Sequence, residues 1–111
     1  MASSISVLGW DDDQTLETAN NLGRLLRYVG RSCEAEALIR RVVRSRTALL
    51  GKRHNHTLCS MNNLAGVLAE RKKFDESEIL YLETISGFEQ TIGPLHRNTL
   101  NARGNLGLVR M

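Results

Sequence analysis

A stretch of sequence running from Thr57 to Leu68 occurs three times in this chain, at a constant offset of 42 residues. The matching segments are Thr15-Leu16, Thr57-Leu58 and Thr99-Leu100, then Asn21-Leu22-Gly23, Asn63-Leu64-Ala65 and Asn105-Leu106-Gly107. Self-similarity at a period of roughly 20 to 50 residues is typical of architectures in which similar units stack on one another. The chain is therefore predicted to be a stack of repeats.

Within each repeat, apolar residues recur at the three- and four-residue spacing of a helix with one buried face. The predicted helices span residues 12–29, 32–49, 54–71, 74–91 and 96–110, and adjacent helices are expected to be antiparallel. Gly30 and Gly51 are predicted to end the first two helices, and Ser32 to cap the second. The leucines expected to be buried are Leu22, Leu26, Leu38, Leu50, Leu64, Leu68 and Leu80.

Small residues are predicted at places where two helices approach closely. Gly23, Ala65 and Gly107 occupy one repeat position and are assigned this role. Gly87 lies inside the fourth helix, where glycine is expected to weaken the helix by about 1 kcal/mol relative to alanine.

The two ends of the chain differ from the repeats between them. Residues 1–10 align with the ends of the repeats, so we interpret them as the remnant of a preceding helix. Asp11, Asp12 and Asp13 follow at a helix start, where the helix dipole favours carboxylates. In the fifth helix, Arg103 and Arg110 replace residues that are apolar in the earlier repeats. This helix is expected to be either an end cap or part of a longer array.

Composition excludes several classes of protein. The formal charge of +3 permits acidic partners without demanding them. Cys33 and Cys59 fit no metal or redox spacing, which indicates reduced thiols in a cytoplasmic protein. No apolar run is long enough to span a membrane, and the N-terminus lacks the features of a secretion signal.

The repeats resemble a known family. Leu64-Ala65-x-x-Leu68, followed by Phe74, Ser77 and Tyr81, is similar to the tetratricopeptide pattern. The segments Gly51-Lys52-Arg53-His54-Asn55-His56-Thr57-Leu58 and Gly93-Pro94-Leu95-His96-Arg97-Asn98-Thr99-Leu100 resemble the longer repeat of the kinesin-light-chain type, also found in nucleotide-binding, immune-receptor-like proteins of fungi and bacteria. The first repeat departs from it by having Asp12 in place of the histidine.

The resemblance implies an all-α fold, a right-handed stack of antiparallel helix pairs forming a tetratricopeptide-like α-solenoid, with about two full repeats plus one helix. Residues 1–111 would form a single domain, with repeats at about 9–50 and 51–92 and a partial repeat at 93–111. The implied function is that of a protein–protein interaction scaffold, which binds a peptide or partner segment in its concave groove. Fold alone does not identify the partner.

No residue pattern indicates catalysis, a cofactor or a metal. His54-Asn55-His56 could suggest a metal site, but no further ligand lies near in sequence. His54 and His96 share one repeat position at a helix start, so a structural role is favoured for both. The chain is therefore predicted not to be an enzyme.

In this family the first helix of each pair lines the concave surface, which gives a set of candidate groove residues. Asn21, Asn63 and Asn105 recur at one such position, and an amide side chain can pair with the backbone of an extended peptide. The alternative is that these asparagines bond only to neighbouring helices. The full set of predicted groove residues is Asn20, Asn21, Arg24, Arg27, Tyr28, Asn62, Asn63, Asn101 and Asn105.

Nine of the fifteen basic residues lie between positions 24 and 53. Those of the second helix and its exit are Arg40, Arg41, Arg44, Arg46, Lys52 and Arg53. A solvated helix face is favoured for this strip, with an acidic peptide or nucleic acid as the alternative. Nucleic acid is disfavoured because no aromatic residues are interleaved for base stacking. A further alternative is self-association through exposed repeat ends, since about three repeats are usually needed to bury a continuous core.

Overall fold

The computed structural model describes residues 13–110. These residues form five helices joined by short turns. They are α1 (Asp13–Tyr28), α2 (Ser32–Leu50), α3 (Asn55–Glu70), α4 (Phe74–Thr91) and α5 (Arg97–Arg110). Each boundary lies within one residue of its predicted position. These residues contain no strand, and none of their helices has the length and hydropathy needed to cross a membrane. The all-α prediction is confirmed.

The ends of the helices follow from particular residues. Gly51 ends α2, and Gly93 lies in the turn after α4. They adopt φ angles of 96° and 94°, a conformation that L side chains rarely adopt. The Nδ1 atoms of His54 and His96 then accept hydrogen bonds of 3.1 Å from backbone N–H groups at the starts of α3 and α5. The structural role predicted for these histidines is confirmed. The prediction that Ser32 caps α2 is wrong, because Ser32 is the first helical residue and its hydroxyl donates to Glu70 instead.

Side-chain contacts show that consecutive helices run antiparallel. Glu17 near the start of α1 pairs with Arg46 near the end of α2. Glu36 near the start of α2 pairs with Arg71, directly after α3. The hydroxyl of Thr91 at the end of α4 donates to Asn55 at the start of α3, over 3.2 Å.

The core consists of apolar clusters between consecutive helices. One cluster joins α2 to α3 through Ala35, Ile39, Leu64, Val67 and Leu68, and another joins α4 to α5 through Tyr81, Ile85, Ala102 and Leu106. Leu16, Ala19 and Val42 pack α1 on α2, while Leu58, Met61 and Phe88 pack α3 on α4. The stack is thus held together by the helical faces that the periodicity predicts.

Several predicted positions differ in the structure. Leu64 and Leu68 are buried, whereas Leu26, Leu38 and Leu80 are half-buried. Leu22 is 47% exposed, because no helix covers its side of α1 within residues 13–110. Leu50 is exposed because it is the last residue of α2.

The small residues also differ in role. Gly23 is at a close approach as predicted, since a Cβ there would overlap Ile39. Gly107 is not, because the space around it is open. Gly87 is itself at a close approach, where a Cβ would lie 2.6 Å from Cδ2 of Leu58, so any larger residue there forces Leu58 to move.

The odd-numbered helices lie on the inner side of the stack. The backbone of α1 closely approaches that of α3, and the backbone of α3 that of α5, whereas the backbones of α2 and α4 stay further apart and these two helices meet through side chains such as Arg40 and Glu76. A row of helices whose inner members lie closer together than its outer members is curved. The surface formed by α1, α3 and α5 is therefore concave.

Some predictions lie outside the described residues. They concern residues 1–10, including the apolar Val7-Leu8, and the carboxylates of Asp11 and Asp12. The side chains of Asp13 and Arg110 also belong to this group.

Candidate functional site

A polar cavity of about 440 Å³ opens on the concave surface, where α1, α3 and α5 meet. Five asparagines line it: Asn20, Asn62, Asn63, Asn98 and Asn101. Asn20 comes from α1, Asn62 and Asn63 from α3, and the other two from α5. Each asparagine carries both a donor and an acceptor, so the cavity can bind either kind of hydrogen-bonding group.

Asn20 is held in one orientation by its neighbours. Its Oδ1 atom accepts a hydrogen bond of 3.1 Å from the Ser60 hydroxyl and one of 3.2 Å from Nδ2 of Asn63. Both donors occupy the oxygen end of the amide, so the nitrogen end has no partner among residues 13–110. The side chain is buried. Asn20 is thus a fixed hydrogen-bond donor at the wall of the cavity.

Beneath this wall lies Arg46, a buried arginine whose side chain is only 1% exposed. Nη1 donates to the backbone carbonyl of His56 and to the Ser60 hydroxyl, each over 3.0 Å. Nη2 lies 2.8 Å from the carboxylate of Glu17. Nε has no hydrogen-bond partner in the described part of the chain. A single guanidinium therefore joins α1, α2 and α3 under the cavity.

Arg46 corrects the sequence analysis, which assigned it to a basic surface strip. Its spacing from Ala35, Ile39 and Val42 is that of the buried face of α2, and this was the signal for an inward position. The rest of the strip is partly neutralised. Arg40 pairs with Glu36 and Glu76, and Lys52 lies 3.6 Å from Glu83.

The predicted groove residues fall into three cavities that share members. Asn20, Arg24, Asn62, Asn63 and Asn101 line the large polar cavity. Asn21, Arg24, Arg27 and Tyr28 line a second cavity of about 510 Å³ along α1. Asn105 lines a third, of about 190 Å³, together with Arg27. The second cavity shares Arg24 with the first and Arg27 with the third, so the three follow one another along the concave surface.

Asn21, Asn63 and Asn105, the three asparagines that share one repeat position, are divided among these cavities. Asn63 bonds to a neighbouring helix, as the alternative interpretation expects, while Asn21 and Asn105 form no side-chain hydrogen bond within the described region. The Asn20–Asn63 pair is a polar contact that the sequence analysis did not foresee. Residues 42 apart in sequence occupy the same position in successive repeats. Asn20 and Asn63 occupy two different repeat positions, so the offset does not predict that they are in contact.

The two groove arginines differ in charge available to a ligand. Nε of Arg27 lies 2.5 Å from the Glu70 carboxylate, which neutralises it locally. Arg24 is exposed and forms no ion pair within residues 13–110. The open positive charge of the groove is therefore that of Arg24.

Burial raises the pKa of the Cys59 thiol in the cavity wall, which disfavours its thiolate form.

The described residues contain no group of three or more histidine, cysteine or carboxylate side chains placed to hold a metal ion. The rings of His54 and His56 meet edge to face, with centroids 5.0 Å apart.

Comparison with known proteins identifies the repeats. The sequence model of the tetratricopeptide repeat matches residues 14–89 and again residues 56–110, which together span nearly all of the described chain. A search among curated proteins finds no match. Tetratricopeptide repeats are non-catalytic and generally mediate protein–protein interactions. With the five helices of residues 13–110 stacked on one another and this match along its length, the chain belongs to the tetratricopeptide repeat family.

Proposed function

We propose that this chain is a tetratricopeptide module of the kinesin-light-chain type that binds an extended acidic segment of a partner protein on its concave surface. In this proposal residues 1–111 form one domain, with repeats at about 9–50 and 51–92 and a partial repeat at 93–111. The module uses no cofactor and acts as a scaffold in the cytoplasm. Its two cysteines, Cys33 and Cys59, are free thiols in keeping with that compartment.

The observation that carries the proposal is the fixed amide of Asn20 in the polar cavity. Its orientation is set by Ser60 and Asn63 before any ligand arrives. A donor that is already ordered loses little conformational entropy on binding, so more of its interaction energy contributes to affinity. An extended peptide presents a row of backbone carbonyls that such a donor can bind.

Charge supports an acidic segment. Arg24 lies between the first and second cavities and forms no ion pair within the described residues. A carboxylate bound there would form a charge-assisted hydrogen bond worth about 1.5–3 kcal/mol. The neighbouring Arg27 is held by Glu70 and contributes less.

The dimensions set the length of the segment. The concave surface crosses three helices, whose axes lie roughly 8–10 Å apart in packed helices, and an extended chain spans about 3.3 Å per residue. A segment of about eight residues is therefore enough to cross from α1 to α5.

The test uses fluorescein-labelled peptides of about eight residues with aspartate at varied positions, and a matched set with asparagine in its place. Fluorescence anisotropy measures their binding to the wild type and to two variants with the same change of charge. Arg24→Glu alters the groove, and Arg44→Glu alters an exposed position on the outer helix α2. We expect Arg24→Glu to weaken binding of the aspartate peptides by about ten-fold or more, and Asn63→Ala to weaken it less.

Salt should weaken binding of the aspartate peptides more than that of the asparagine peptides, because charged contacts are screened. Loss of binding in Arg44→Glu with none in Arg24→Glu would place the site on the outer surface and overturn the proposal. Equal affinity for the aspartate and asparagine peptides would refute its acidic part.

A further inference from the structure

One face of α1 is apolar and uncovered. Leu22, Leu25 and Val29 are 47%, 55% and 58% exposed. Their spacing of three and four residues places them on one side of the helix, continuing past its end. Within residues 13–110 no helix packs on this side.

The equivalents of Leu22 and Leu25 in the later helices are covered. Leu64 and Val67 stand 42 residues after Leu22 and Leu25, and they are 4% and 0% exposed. Both belong to the cluster that packs α3 on α2. The next equivalents, Leu106 and Val109, pack on α4 in the same manner. At both internal interfaces this pair of positions is covered by the helix that precedes it, although Val109 is only half-buried.

The two covering helices share a pattern. Helix α2 carries Ala35-Glu36-x-Leu38-Ile39-x-x-x-Val43, and α4 carries Ser77-Glu78-x-Leu80-Tyr81-x-x-x-Ile85. The small, large and β-branched residues lie four apart and form one stripe of a helix. The small residue comes first in the stripe, and its size allows the two packed helices to approach each other closely.

The ion pairs at the edge of the α2–α3 interface also have a counterpart next to the exposed face of α1. At the α2–α3 interface Glu36 is bound by Arg71 and by Lys73, at 2.5 and 3.1 Å. Arg31 stands 42 residues before Lys73, in the turn after α1 and directly before α2. It is exposed, and its ion pair with Glu34 is long, at 3.7 Å. A glutamate of a covering helix can therefore pair with Arg31.

We propose that the α1 face formed by Leu22, Leu25 and Val29 binds an amphipathic helix of a partner protein that carries the pattern small-Glu-x-Leu-large-x-x-x-β-branched. The bound helix runs antiparallel to α1, as α2 does to α3, with its glutamate beside Arg31. This binding surface is separate from the concave groove and does not depend on the function proposed for it.

A second copy of the chain is a poorer occupant than a partner helix. The stripes of α2 and α4 are already buried against α3 and α5, so another copy cannot offer one without partly unfolding. At the opposite end of the described stack, α5 exposes Leu100 and Leu108 but also carries a charged residue. There Arg103 takes the position of the buried Met61 and pairs with Glu89.

The probe for this surface is a labelled synthetic peptide of residues 32–50, which carries the pattern of α2. Anisotropy measures its binding to the wild-type protein and to the double variant Leu22→Glu/Leu25→Glu. The matched control is Ile79→Glu/Leu82→Glu, two exposed apolar residues of α4. All four side chains are exposed, so the melting temperatures of both variants should stay close to that of the wild type.

We expect saturable binding that the α1 variant weakens at least about ten-fold, since two leucines no longer become buried, and that the control variant leaves unchanged. The peptide should gain helical circular dichroism on binding, because an isolated helix of this length is marginal in water. A peptide with Ile39→Asp should fail to bind.

Three results would overturn the proposal. The first is an absence of binding by the wild-type peptide. The second is binding that survives in the α1 variant, which would indicate that the peptide displaces α2 from α3. The third is a dimer seen by light scattering that the α1 variant abolishes, which would show that a second copy covers the face.

Discussion

Replacing Glu36 by glutamine would measure how much a buried cluster of charges stabilises the stack. The Glu36 side chain is 8% exposed and is contacted by three cations, with Arg40 at 2.8 Å, Arg71 at 2.5 Å and Lys73 at 3.1 Å. Burial alone raises the pKa of the Glu36 carboxyl. The hydrogen bonds from these cations outweigh burial and lower the pKa from its ordinary value of 4.5 to about 2.

The size and sign of the effect follow from this pKa. A fall from 4.5 to about 2 corresponds to about 3 kcal/mol of stability, since each pKa unit is worth about 1.4 kcal/mol. Arg40 and Lys73 are 37% and 42% exposed, so solvent screening reduces the value to about 2 kcal/mol. A carboxyl whose pKa is lower in the folded state stabilises the protein above its unfolded pKa. This stability is lost as the pH falls from about 5 to about 2.

Urea unfolding followed by circular dichroism gives the free energy of unfolding of the wild type and Glu36→Gln at each pH. The difference between the two proteins should be about 2 kcal/mol at neutral pH and should approach zero near pH 2. Taking the difference removes the titration of the other carboxyl groups. The control is Glu76→Gln, which alters an exposed partner of Arg40 and should cost about 0.5 kcal/mol. An equal difference at neutral pH and near pH 2 would refute the reasoning.

The remaining predictions concern backbone conformation and packing, and all are measured as free energies of unfolding in urea. Lys72 has a φ of 64°, so Lys72→Gly should stabilise the protein by about 0.5–1 kcal/mol, and a loss of stability would contradict this. Gly87→Ala should destabilise it by about 1–3 kcal/mol, because the new methyl group meets Leu58 in the core. Gly104→Ala, in open space on α5, should instead stabilise it by about 1 kcal/mol. The same sign for both alanine variants would show that packing at Gly87 is not the deciding term.

The fold could be predicted from the sequence because several independent signals agree at each helix. Apolar spacing identifies the buried side of α3, while Gly51 and His54 mark its start, and both residues act in the structure as expected. The exposure of Leu22 could not be predicted in this way. Periodicity shows which side of a helix is apolar, but it does not show whether another helix lies there.

The candidate site was predicted less completely. Asn20, Asn62 and Asn101 were assigned to the concave side, and they line one cavity. The basic segment around Arg46 predicts a surface position for it, whereas its spacing from the apolar residues of α2 places it on the buried side. The bond between Asn20 and Asn63 depends on how α1 and α3 are placed side by side, which the spacing within one helix does not specify.

The buried guanidinium of Arg46 also restricts which ligands the groove can bind. Its one carboxylate partner within the described residues, Glu17, is half exposed at the edge of the polar cavity. A ligand that pushes Glu17 aside leaves a buried cation uncompensated, at a cost of about 3–5 kcal/mol, unless the ligand supplies an acceptor of its own. An ammonium or guanidinium group and a purely apolar group cannot supply one. They are disfavoured at this cavity by the protein beneath it, whatever contacts they make with the asparagines above.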